Sequence, residues 1–269
     1  MKRIGIIDQL YARPLFQRLI SPATGMSPPS EIVHSRHVGT AELAVKLRQR
    51  KLDGAFLSPI DYAKNYSMYR IVPSIGIVSQ GGVGAVDLVF NESLRAIQTL
   101  AVDASASSEI VLANLILREK YDLAPQIVPM SDSLDRSLEK ADAVLLVADA
   151  ARNVSEKSCR IDLVGEWNDM TGLPYVHGFW VEREDSLAPS EMKLLLQSAE
   201  YVPTYLRQEL PRTDLDYLER FEYRLSDEAI SSLTEVFRMA YYYGILKDIP
   251  EVKFHSFDGG KSPSATTFR

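Results

Sequence analysis

Asp162 to Trp180 reads DLVGEWNDMTGLPYVHGFW. The run joins the end of one strand, a short helix and a second, apolar strand around a TGLP turn. Trp167 stands among Glu166, Asn168 and Asp169, while Tyr175, His177, Phe179 and Trp180 give two apolar-aromatic sides separated by small or polar residues. Aromatic side chains are mostly core residues, so the segment reads either as a domain anchor or as the wall of a pocket.

Upstream of this stretch, strand and helix patterns alternate in the manner of α/β lobes. Strands are expected at Ile4–Ile7, Ile32–His34, Gly54–Leu57, Tyr69–Val72, Ile75–Val78 and Ala85–Phe90, with the turn SQGGVG at 79–84 between the last two. Helices are expected at Pro14–Leu19, from an N-cap at Thr40 to about Lys51, and after Pro59. From Leu100 the pattern restarts with a strand, the turn DASASSE and a helix carrying Val111, Leu112, Leu115 and Ile116 on one side. Gln126–Val128, a helix over Ser131–Glu139 and the buried strand Ala143–Val147 follow. After Arg183 the sequence is almost purely helical: 188–208, 215–222, and 226–243 with Ser226 as cap. The run Tyr241–Tyr243 reads as core and interface packing, and the tail GGKSPSATTFR reads as loose. The simplest assembly is one lobe from 1–98 plus 183–269, with a second lobe, 99–182, inserted.

Composition narrows the function. The chain has 269 residues, 46% hydrophobic and 25% charged, an ordinary globular balance. Net charge is -6 and no basic stripe is present, which argues against a nucleic-acid partner. No run reaches the length of a spanning helix, and too few apolar residues precede Asp8 for a secretory signal, so no membrane partner and a cytoplasmic location are expected. One cysteine, Cys159, cannot form an internal disulfide, and four histidines without ligand spacing suggest no metal.

Ligands of open α/β sheets sit outside the carboxyl ends of the strands, where the first N–H groups of helices are free. Four turns meet that rule: Asp8–Arg13, Ser58 before Pro59, Ser79–Gly84 and Asp103–Ser108. They supply Tyr11 as a phenolic donor or stacking ring and Arg13 as a carboxylate partner. They also supply Ser58, Ser79, Gly81, Ser105, Ser107 and Ser108 as hydroxyl or backbone donors. The alternatives are helix capping for the serines, a solvent-facing role for Arg13 and lid packing for Tyr11. His177, between apolar residues, reads as a structural hydrogen-bonding group.

Several pieces carry a resemblance: RIGIIDQLYARPLF, LDGAFLSPIDYAKN, SQGGVG, DASASSEIVLANLILREKYDL, ADAVLLVADAA and EWNDMTGLPYVHGFW. In order and spacing the chain resembles the chorismate dehydratase family of the menaquinone pathway (futalosine route), which has a periplasmic-binding-protein-like fold. The resemblance implies an α/β protein of two lobes, periplasmic-binding-protein type II-like, with extra C-terminal helices. It further implies a cleft for a small carboxylated molecule and no metal or organic cofactor. The implied reaction is dehydration of chorismate to 3-[(1-carboxyvinyl)oxy]benzoate; in this chain a substrate carboxylate is the candidate base, and Tyr11, the catalytic candidate, or a serine would assist the leaving group. A sister reaction on cyclic de-hypoxanthine futalosine stays open, as does non-catalytic binding of a small organic anion. A homodimer is one assembly open to the chain. Departures from the family pattern fall in the turns. Tyr11 stands where the family has asparagine, Gly84 and Ala85 replace an arginine-serine pair, and Ser105-Ala106-Ser107-Ser108-Glu109 replaces SSRTS.

Overall fold

The computed structural model describes residues 2–21, 30–35, 37–91, 96–155, 158–184, 186–208 and 210–256. The expected loose tail lies outside these residues. In chain order the strands are β1 (Lys2–Ile6), β2 (Ser30–His34), β3 (Gly54–Leu57), β4 (Tyr69–Ser79), β5 (Val86–Phe90), β6 (Thr99–Val102), β7 (Gln126–Pro129), β8 (Ala143–Val147), β9 (Cys159–Asp162), β10 (Tyr175–Arg183) and β11 (Phe221–Glu222). The helices are α1 (Arg13–Ile20), α2 (Ala41–Arg48), α3 (Pro59–Ala63), α4 (Ser107–Tyr121), α5 (Leu134–Leu138), α6 (Asp149–Arg152), α7 (Leu163–Thr171), α8 (Pro189–Leu206), α9 (Arg212–Leu218) and α10 (Asp227–Tyr242).

The strands form two sheets, ordered β11-β4-β10-β3-β1-β2 and β7-β6-β8-β5-β9. In the first, β1 pairs in parallel with β2 and β3, while β10 runs antiparallel between β3 and β4. In the second, β6 pairs in parallel with β7 and β8, while β5 runs antiparallel between β8 and β9. A central strand covered on both faces reads as a continuous apolar run, and β10 shows how its residues divide. Phe179 meets Tyr62 of α3 edge-on at 5.5 Å, while Trp180 meets Phe16 of α1 and Phe56 at 5.4 and 5.8 Å. Neighbours in sequence thus anchor helices on opposite faces, as the period of two requires.

Sheet membership corrects the lobe boundaries expected near 98 and 183. β5 already belongs to the second sheet and β10 to the first, so the chain crosses once within 80–85 and again between Asp162 and Tyr175. Apolar pattern marks a strand but does not say which sheet it joins; pairing does. Likewise 69–79 is one strand rather than two, with Ser74 at φ 66 as its irregularity.

The C-terminal part was expected on the first lobe only. α8 does lie along α1, with Ser198 donating to the Leu15 carbonyl. α9 and α10, however, also reach the second lobe. Arg152 of α6 pairs with Asp214 at 2.5 Å, Trp167 of α7 donates to Ser232 at 3.1 Å, and Tyr243 donates to Glu119 of α4 at 2.7 Å. Residues 221–222 are strand rather than helix and cap the edge of the first sheet beside β4. Further along that edge, backbone bonds link Ile71 to Lys253 and His255. Ser226 caps α10 as expected, accepting from the Ala229 amide at 3.2 Å. The Tyr241–Tyr243 run is not core: Tyr241 and Tyr242 are exposed, because the last turn of α10 projects past the sheet. One apolar core is continuous from Ile4 and Leu57 of the first lobe to Leu115 and Leu145 of the second, so the lobes are closed on one another.

Candidate functional site

Both sheets aim the ends of their strands at the seam between the lobes, and two clusters form there. The first begins at the turn after β1. Tyr11 is buried, stacked on Phe221 at 5.3 Å and tilted against His177 at 5.4 Å. The His177 ring also meets Tyr175 edge-on at 5.0 Å, and its Nε2 lies 2.8 Å from Oγ of Ser79. Burial pulls the His177 imidazole down to about 3, so it is neutral across the physiological range. Burial also raises the Tyr11 and Tyr175 phenols well above their ordinary value, with Glu109 adding to both. Glu109, in the first turn of α4, is itself pushed by burial up to about 7; its backbone amide opposes that shift and Asp61 adds to it.

The second cluster is a band of hydroxyls around the buried carboxylate of Asp61 in α3. Thr40 donates to it at 2.6 Å, Ser58 at 3.2 Å, Lys64 at 3.1 Å and, from the second lobe, Ser107 at 2.6 Å. Ser108 of α4 accepts from the Ile60 amide at 2.9 Å, and Ser105 accepts from the Gly39 amide at 3.3 Å. Ser58, Ser105, Ser107 and Ser108 therefore converge, and in this arrangement their hydroxyls bond across the seam or to its carboxylate instead of capping their own helices. Thr40 is likewise at an N-cap position without capping, since its hydroxyl is turned to Asp61.

The remaining candidates separate. Ser79 joins the aromatic cluster through His177. Gly81, at φ 74, lies in the crossing between β4 and β5, where Asp162 accepts from the Gly84 amide at 2.6 Å and caps α7 through the Val164 and Gly165 amides. Arg13 stands apart: its head is half exposed and faces Asp8 at 3.9 Å, outside both clusters.

Three acidic residues at the seam escaped sequence reasoning. Asp61 had a signal, the Ser58-Pro-Ile-Asp61 spacing of a capping box, whose members here serve the seam instead. Asp149, the first residue of α6 just after β8, accepts from the Leu10 amide at 3.2 Å across the lobes, and nothing in the motif VADA marks it. Glu109 is visible in the sequence only as a departure from the family pattern.

Between Pro59, Ser108, Leu112, Leu115, Tyr175 and Val236 there remains an enclosed cavity of about 10 Å³, room for one water-sized sphere. That volume is too small for a ring-sized molecule. Among the described residues no three His, Cys, Asp or Glu side chains are grouped as metal ligands, and no helix is long and apolar enough to cross a membrane.

Two α/β sheets, one inserted into the other's chain and each holding a reversed strand, meeting at a seam, define a periplasmic-binding-protein-like protein. The solved structures agree. Protein AF1704 from Archaeoglobus fulgidus matches with a TM-score of 0.70 at 20% identity, over 91% of this chain and 98% of that one. The Candida albicans CA3427 gene product, described as having the generic periplasmic binding protein fold, matches with a TM-score of 0.62 at 14% identity, over 96% and 98%. The aliphatic sulphonate binding protein SsuA from Escherichia coli matches at 0.60 and 14%, over 100% and 96%. The chain belongs to the menaquinone biosynthesis family, whose profile matches residues 2–242.

Proposed function

We propose that this chain is a lyase of menaquinone biosynthesis that dehydrates chorismate to 3-[(1-carboxyvinyl)oxy]benzoate. Family membership supports the pathway. The observation that carries the reaction is the seam cluster of Tyr11, Ser79, Tyr175 and His177, uncharged side chains of which three are aromatic, near the Glu109 carboxyl. In the reaction the ring carbon bearing the enolpyruvyl ether loses a proton, the neighbouring hydroxyl leaves, and the two depart as water while the ring becomes aromatic. Aromatisation supplies the driving force, so the protein need only orient the ring, hold the proton donors near the leaving oxygen and exclude bulk water. A substrate carboxylate can take the ring proton. Tyr11, kept protonated by burial, is the donor assigned to the leaving hydroxyl, and the Ser79–His177 pair fixes the wall against which Tyr11 packs. Serines 58, 105, 107 and 108, freed as the lobes open, are the donors for the substrate carboxylates.

Incubation with chorismate followed by chromatographic analysis tests the reading. The benzoate product is expected within minutes at micromolar enzyme; chorismate binding with no product over hours would leave a non-catalytic anion-binding protein instead.

A further inference from the structure

Three buried side-chain polar atoms among the described residues lack a hydrogen-bond partner: Nε1 of Trp180, Nε of Arg183 and the hydroxyl of Tyr217. Trp180 is packed among the rings of Phe16 and Phe56, and the Arg183 guanidinium also reaches Asp53 at 3.6 Å. The Tyr217 phenol is different. Its ring, on α9, meets Phe221 edge-on at 5.1 Å, and Phe221 is the ring on which Tyr11 stacks. Arg152 of the second lobe lies over the Tyr217 ring, 5.1 Å from its centroid. The ionisable groups that act on Tyr217 are Asp149, Arg152, Asp162 and Asp87, all of the second lobe, and Tyr217 acts in turn on Tyr11 and Tyr223 of the first. The oxygen therefore sits at the seam beside the aromatic cluster.

We infer that the Tyr217 hydroxyl is a ligand-binding donor, which gives its hydrogen bond to an uncharged ring hydroxyl of the cyclic acid bound between the lobes. This rests on the proposed reading of the cleft and extends it to α9. A buried hydroxyl without an acceptor is the exception in folded proteins, and a bound ligand oxygen would satisfy it. The oxygen must be uncharged because the local balance is acidic: Arg152 is already paired with Asp214 at 2.5 Å, which leaves the Asp149 carboxylate to repel an anion. Burial raises the phenol's pKa, so at neutral pH it keeps the proton it gives to the ligand.

The test compares wild type with Tyr217→Phe by stopped-flow fluorescence titration, read in the milliseconds before turnover, with chorismate and with its analogue lacking the ring hydroxyl, alongside thermal unfolding. Wild type is expected to prefer chorismate by roughly 10-fold, the worth of one buried hydrogen bond. Tyr217→Phe should lose that preference, weaken chorismate binding by roughly the same factor, and unfold at an equal or higher temperature, since it discards an unpaired group. A variant that keeps the preference overturns the inference. So does a lower unfolding temperature with both ligands weakened alike, which marks a structural residue. Wild type that binds neither ligand overturns the chorismate reading itself, and this inference with it.

Discussion

The Ser107 hydroxyl of the second lobe donates to the Asp61 carboxylate of the first across 2.6 Å, and the same carboxylate holds Thr40 and Ser58. Closure of the lobes is thereby tied to a buried charge. Asp61→Ala should cost about 3 kcal/mol of unfolding free energy, because it strands hydroxyls where water does not reach. Ser107→Ala removes only the bond across the seam and should cost about 1 kcal/mol, with small-angle scattering showing a larger radius of gyration. Equal, small losses in denaturant melts of both variants would contradict the role given to Asp61.

Tyr11 tests the proposed chemistry. Tyr11→Phe keeps the ring stacked on Phe221 and removes one hydroxyl, so kcat for chorismate should fall by roughly 10- to 100-fold with little change in affinity. Tyr11→Ala, which also loses the stacking surface, should weaken binding as well. An unchanged kcat in Tyr11→Phe would remove the phenol from the reaction.

Acidity should act through His177 and Glu109 in opposite senses. The His177 value in the folded chain, about 3, is below the ordinary 6.5, so its contribution is complete above pH 6.5 and is lost as pH falls toward 3. Glu109 is raised from 4.5 to about 7, so its contribution is complete below pH 4.5 and is lost as pH rises through 7. Glu109→Gln should therefore stabilise the protein at pH 8 by roughly 1–3 kcal/mol relative to its effect at pH 4. Unfolding free energies at the two pH values check this; a pH-independent difference would contradict it.

Gly178 carries the close approach of β10 to β3. A Cβ there would lie 2.4 Å from Cε1 of Phe56 and 2.9 Å from the Leu57 carbonyl oxygen, a backbone atom that cannot yield cheaply. Gly178→Ala should destabilise by about 2 kcal/mol or more and displace the neighbouring His177 ring, visible as a changed imidazole NMR signal. A variant as stable as wild type would mean that the strands separate there without cost.

Much of this architecture is legible in the sequence. The α/β alternation and the TGLP segment between a helix and a buried strand place most elements, since apolar period reports local burial. What period does not report is partnership. β5 and β10 look like strands in either lobe, and only long-range pairing assigns them, which is why the insert boundaries differ from those expected. The site shows the same division. The strand-end rule brings Tyr11, Ser58, Ser79 and the serines of α4 to the seam, whereas the side chain of Arg13, the first residue of α1, is carried to the surface. Asp61, Asp149 and Tyr217 matter through what faces them from the other lobe or from α9, a relation with no local spacing to betray it.

The position of β10 has a consequence for how the chain is made. Leu57 of β3 pairs with Phe179 and Tyr69 of β4 pairs with Arg183, so the middle of the first sheet is missing until the ribosome has finished the whole insert. β5 to β9 need nothing later in the chain to complete their own sheet. The second lobe is thus free to fold during synthesis while the first waits with β3 and β4 unpaired along the edges that β10 will join. Truncation just before Tyr175 should therefore yield a nascent chain with a protected insert and a protease-sensitive amino-terminal segment.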